Sequence, residues 1–186
     1  MKKIATGVAA LAAAALLAGP AAAQLPTITP FAFEARAGIA VPQHDLGDAA
    51  GNGFSLAGSI TYHAFPIVGF YAGASRASFS LDEGDGDLVD QGIEVGARIG
   101  IPTPLIPIDP WIKGGVVYHQ LKLDNGGTDD LDEWGTGFEV GAGLGFGFGP
   151  VSITPGVTYQ SYKIGDDTDE ATAASVRAEI GVRIRI

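Results

Sequence analysis

The side chains able to do chemistry here are three histidines, several hydroxyls and a set of carboxylates. With no cysteine, thiolate chemistry and disulfides are excluded. An acyl-transfer set needs a hydroxyl, an imidazole and a carboxylate within hydrogen-bond reach of one another. His119, Ser161 and a loop Asp are the members such a set would use, but nothing in their spacing demands it. A histidine held by hydrogen bonds in an interior accounts for His119 equally well. His44 falls in a polar loop and His63 beside a short turn. The run Asp82 to Asp87, D-E-G-D-G-D, has the composition of a calcium loop but lacks the distal Glu of a full one. A solvated anionic loop is its plainer reading. No phosphate-binding loop, dinucleotide fingerprint or zinc spacing occurs. The expectation is therefore no catalytic residue, no metal and no cofactor.

The remaining charges are organised by the elements that carry them. Trp134 to Phe148 reads W-G-T-G-F-E-V-G-A-G-L-G-F-G-F. The even positions carry Trp134, Thr136, Phe138, Val140, Ala142, Leu144, Phe146 and Phe148, a broad apolar face, and glycine, with Glu139 alone, occupies the odd ones. A side-chain period of two is a β-strand with unlike faces. A helix is excluded, because each interior glycine would cost about 1 kcal/mol relative to alanine. The strand outruns the usual five or six residues of a globular sheet, as a tilted membrane-crossing strand must.

The pattern recurs along the chain. Strand-like segments run Phe31–Val41, Phe54–Ala64, Phe70–Leu81, Gly92–Ile101, Trp111–Leu123, Trp134–Phe148, Val151–Lys163 and Ala174–Ile186. Gly114-Gly115 is a candidate bulge in the fifth. Connections alternate between short ones carrying Pro66, Pro102, Pro104, Pro107 and Pro150 and longer ones rich in Asp and Gly. The expectation is an all-β, eight-stranded antiparallel up-and-down barrel.

Composition supplies the compartment and the medium. Met1–Lys3 is basic, Ile4–Ala18 is apolar, and Ala21-Ala22-Ala23 has the form of a signal-peptidase site. The expected organisation is a signal peptide over 1–23, a short periplasmic lead-in over 24–30 and a barrel over 31–186. The net charge of −10 argues against nucleic acid as a partner. A soluble barrel would turn its polar face to water, whereas a membrane barrel turns it inward. Here that face is Gly, Ala, Ser and Thr, a poor solvated coat but suited to a crowded lumen. It also carries Glu34, Arg36, Arg76, Glu94, Arg98, Lys113, Glu139, Arg177, Glu179, Arg183 and Arg185, expected to form an internal polar network. The expected pairings are Glu94 with Arg98, Glu139 with a neighbouring Arg, and Glu179 with Arg177 or Arg183. Phe31, Phe33, Tyr62, Tyr71, Trp111, Trp134, Phe138, Phe146, Phe148 and Tyr159 lie toward the strand ends, where a membrane barrel carries its aromatic belts.

Together, the leader, eight alternating strands, tight turns on one side and acidic loops on the other resemble the small outer-membrane β-barrel proteins of the OmpA, OmpX and opacity-protein type. The resemblance is architectural and covers Phe31 to Ile186. It implies the outer membrane of a double-membraned bacterium, contact with outer-membrane lipids and lipopolysaccharide, and insertion by the barrel-assembly machinery. In that family the last strand usually ends in an aromatic residue. Here the outward series Ile180, Val182, Ile184, Ile186 keeps the spacing and ends in Ile. Anchoring to peptidoglycan through a further periplasmic domain is not implied. The expected role is structural or surface-interacting, not enzymatic, with an extracellular ligand left open. The competing readings are a lipid A-modifying enzyme, which would use the His119 set, a small-solute channel, and a soluble ligand-binding barrel.

Overall fold

A computed structural model of the chain describes residues 30–81, 86–101, 103, 108–124, 132–165 and 171–186. The expected leader and nearly all of the lead-in lie outside these residues, as do most of the calcium-like run and the middles of the other acidic loops. The elements are β1 (Phe31–Gln43), α1 (Asp45–Ala49), β2 (Ala50–His63), β3 (Val68–Leu81), β4 (Asp87–Gly100), β5 (Ile108–Asp124), β6 (Asp132–Phe148), β7 (Val151–Ile164) and β8 (Ala171–Arg185). Every strand pairs antiparallel with its neighbours in sequence. β1 also pairs with β8, from Ala32 opposite Arg185 to Gln43 opposite Ala174, which closes the barrel. Closure leaves no strand edge, so each backbone N–H and C=O finds a partner away from water.

Strands of 13 to 17 residues rise about 3.3 Å per residue, and at a tilt of about 40° they climb well over the roughly 25 Å of an apolar band. At the loop side α1 folds back over the lumen, with Leu46 packed against Phe79 and Leu88. The β6–β7 hairpin turns on Gly149, whose φ of 65° suits a residue without a Cβ. Pairing runs without a break through Gly114 and Gly115 on both sides, so the expected bulge is absent. A bulge occurs instead near the start of β2, between Ala50 and Gly53.

Side chains alternate between an outward apolar coat and an inward polar filling. Phe33, Ile39, Leu56, Ile93, Val116, Phe138, Val140, Leu144, Ile180 and Val182 are all exposed on the outside. Glu34, Glu94, Lys113, His119, Glu139, Arg177 and Arg183 are buried inside. This is a membrane barrel's arrangement and the inverse of a soluble one.

Candidate functional site in the barrel lumen

The strongest concentration of chemistry is the lumen, which is filled in layers. Nearest the short turns, Glu34 accepts from Arg98 Nη1 at 2.5 Å and lies 3.5 Å from Arg183 Nη1. Thr154 Oγ1 donates to its other oxygen at 3.0 Å. Arg183 donates to His63 Nε2 at 2.9 Å, since a guanidinium has no acceptor. Arg98 is stacked 4.1 Å above the Trp111 ring. At the rim, Arg185 meets Asp109 at 3.4 Å with both side chains half exposed.

The middle layer is a chain of alternating charges. Arg36 joins Glu179 at 3.4 Å to Glu94 at 3.5 Å. Lys113 joins Glu94 at 3.4 Å to Glu139 at 2.5 Å. Tyr71 Oη donates to Glu139, and Ser55 Oγ donates to Glu179 at 2.9 Å. Above it, Arg177 donates to Asp90 and to Ser75 Oγ, each at 2.8 Å. His119 Nδ1 donates to the second oxygen of Asp90 at 2.6 Å, and the Gln160 amide lies 2.9 Å from the same nitrogen. At the loop end the filling turns apolar. Leu46 of α1 packs with Ala40, Ala50, Ala77, Phe79 and Leu88 inside the mouth. Asp45 accepts the Thr172 backbone N–H at 2.9 Å, which ties α1 to β8.

Among the described residues, the buried carboxylates Glu34, Asp90, Glu94, Glu139 and Glu179 are met one for one by Arg36, Arg98, Lys113, Arg177 and Arg183. Equal numbers matter, because an unpaired buried charge costs several kcal/mol. The expected pairings give way to different ones. Arg98 serves Glu34, Glu94 is held by Arg36 and Lys113, and Arg177 serves Asp90. Barrel tilt offsets side chains along the lumen, so the partner lies across strands and not beside its neighbour in sequence.

Several expected residues lie elsewhere. Arg76 is exposed on the outer surface and belongs to no internal network. Tyr71 and Trp111, expected in the girdle, are only 6% and 3% exposed and point into the lumen. The cause lies on other strands. A Cβ at Gly96 or Gly115 would lie 2.6 or 2.5 Å from the Tyr71 hydroxyl, and one at Gly143 or Gly156 would lie 2.5 Å from Trp111 Cζ2. These glycines form sockets for the rings. Phe79 likewise turns inward, over Gly53. Arg185 reaches only the rim. Phe31, Phe33, Tyr62, Trp134, Phe138 and Phe148 are exposed outside, with Phe146 and Tyr159 partly covered. Asp90 is the member that sequence reasoning missed. It reads as loop, but β4 begins at Asp87 and takes it inside. Its signal was the even-numbered parity it shares with Glu94 and Arg98. Ser161 pairs with outward Phe138, while His119 points inward, so the acyl-transfer set is not brought together.

The profile of the outer membrane protein beta-barrel domain matches residues 9–183. The chain belongs to that family. It is an outer-membrane protein. It is 35% identical over 78 residues to the 25 kDa outer-membrane immunogenic proteins of Brucella ovis and Brucella melitensis. That match covers 42% of this chain and 38% or 36% of theirs, so the chain matches well under half the length of these relatives. Neisserial surface protein A superposes with a TM-score of 0.70 at 22% identity, over 84% of this chain and 97% of that one. Ail, the attachment invasion locus protein of Yersinia pestis, does so with a TM-score of 0.53 at 16% identity, over 83% and 97%. At these identities the likeness is one of fold.

Proposed function

We propose that this barrel is a non-catalytic envelope protein with a plugged lumen, whose roles are to stiffen the outer membrane and to present its acidic loops at the cell surface. The observation that carries the reading is the filled lumen. An ion-paired middle crossed by Arg36 and Lys113 sits beneath an apolar cap of Phe79, Leu46 and Leu88. Eight strands enclose a space that side chains can fill, and here they do so in ion-paired layers. An ion crossing the lumen would have to part those pairs and wet the cap. Outer-membrane lipids and lipopolysaccharide are the partners of the outward coat. Insertion by the barrel-assembly machinery after removal of residues 1–23 is the proposed route.

The surface role has a bound set by charge. Ail has been crystallised with the heparin analogue sucrose octasulfate. The long loops here carry Asp82, Asp85 and Asp87 in one and Asp129, Asp130, Asp132 and Glu133 in another. Such loops repel a polysulfated sugar, so a surface ligand of that class is not expected here. The test of the plugged lumen is single-channel recording in planar bilayers. Little or no steady conductance is expected, and stable porin-sized channels would replace this function with solute transport.

A further inference from the structure

Among the described residues, an apolar cluster fills the loop end of the lumen and a cavity remains at the other. A vestibule of about 640 Å³ lies at the short-turn mouth, walled by the ends of β2 and of β4 through β8. His63, Arg98, Trp111, Ser152, Arg183 and Arg185 line it. The charge balance of the whole lumen does not hold locally here. Arg98 and Arg183 share Glu34, and no other described carboxylate lies within ion-pair distance of either. Arg185 and Asp109 cancel at the rim. The middle layer carries the compensating excess, with Glu94, Glu139 and Glu179 against Arg36 and Lys113. The vestibule is therefore left with one positive charge more than its carboxylates neutralise. Arg183 Nε and Trp111 Nε1, buried donors of two residues that line it, have no acceptor among the described residues, as is also true of Arg36 Nε and Arg177 Nε elsewhere in the lumen. Buried N–H groups without acceptors are costly, and guanidinium forks match the paired oxygens of an oxyanion.

We infer that this vestibule is a binding site for a small water-borne oxyanion, of the class of inorganic phosphate and small phosphate monoesters, taken up from the periplasmic side. Arg98 and Arg183 supply the charge, and Ser152 and the Trp111 indole N–H supply neutral donors. Glu34 keeps both guanidinium groups in place, because it is bonded to Arg98 and Thr154 and lies 3.5 Å from Arg183. The inference is independent of the plugged-lumen reading, since a pocket closed above by ion pairs binds an anion without passing it.

The test uses the full barrel in non-ionic detergent. The chain has two tryptophans, so Trp134→Phe leaves Trp111, directly beneath Arg98, as the single tryptophan, excited apart from the tyrosines at the red edge. Inorganic phosphate is titrated at constant ionic strength against sodium chloride. A saturable change in Trp111 emission is expected with phosphate and not with chloride. Arg98→Gln or Arg183→Gln should weaken it by roughly tenfold or more, the loss of a charged hydrogen bond, while Arg76→Gln, on the outer surface, should leave it nearly unchanged. Folding of each variant is read from the gel mobility of unheated samples. Where a Gln variant does not fold, Arg98→Lys keeps the charge, removes the fork and should still weaken binding severalfold. An emission change equal in phosphate and chloride, or one kept by the Arg98 and Arg183 variants, overturns the site.

Discussion

β6 and β3 face each other across the lumen and touch through Tyr71 and Glu139, yet their sequences relate to their surroundings in opposite ways. In β6 the small residues point inward and the large ones outward. Gly135, Gly137, Gly141 and Gly143 line the lumen while Phe138, Val140 and Leu144 meet lipid. In β3 the large Tyr71 and Phe79 point inward, and Ala72, Ala74 and Arg76 point out. The difference is one of role in packing. β6 supplies holes, and Gly143 is one into which the Trp111 ring fits. β3 supplies knobs, which fill holes made by Gly96, Gly115 and Gly53 on other strands. A barrel this narrow needs both kinds of strand, because an interior lined only by glycine would be void and one lined only by rings would clash.

The largest effect should come from the contact that joins the two strands. Glu139→Ala removes the acceptor of Tyr71 and the nearer partner of Lys113, and should cost about 3 kcal/mol in unfolding measured in lipid or detergent. Glu139→Gln keeps an acceptor for Tyr71 and should cost less. If the Ala variant is as stable as the wild type, the knob-and-charge contact does not hold the two strands together.

A smaller loss should follow from closing a hole. In Gly143→Ala the new Cβ would approach Trp111 Cζ2 and the Pro155 carbonyl to 2.5 and 2.3 Å, and overpacking of this kind costs roughly 1–3 kcal/mol. The same change at Gly58, which faces outward with nothing within 4 Å of a Cβ, should be nearly neutral. Equal effects at the two glycines, read by the same unfolding titration, would erase the distinction between socket and surface. The smallest effect belongs to β3's outward side. Arg76→Leu removes an exposed guanidinium that pairs with no described carboxylate, and stability should move by no more than about 0.5 kcal/mol. A loss as large as that of Glu139→Ala would put Arg76 back inside the network.

Much of this was legible from residue order alone. The period of two in Trp134–Phe148 and Ala174–Ile186 identified strands and, through glycine and charge, the side that turns inward. The alternation of proline-bearing turns with acidic loops indicated the meander. Glu34, Glu94, Glu139 and Glu179 were recognisable as interior because each interrupts a face of small residues. Asp90 was hidden by its neighbours, since an Asp-rich run reads as loop until β4 is seen to begin at Asp87.

What the sequence determined by itself is therefore the set of two-faced strands, their number and their order, because a pleated strand sorts its side chains by parity whatever surrounds it. Which face of β3 turns inward, where Trp111 points and which cation meets which carboxylate were decided by tertiary structure. In β3 the odd positions carry the rings of Tyr71 and Phe79 and the even ones Phe70 and Arg76, so parity by itself favours turning Tyr71 out and Arg76 in, the reverse of the fold. The choice is settled by sockets and charges on distant strands, as when Tyr71 finds its acceptor 68 residues away. Such partners meet only once tilt and closure have set the register around the barrel.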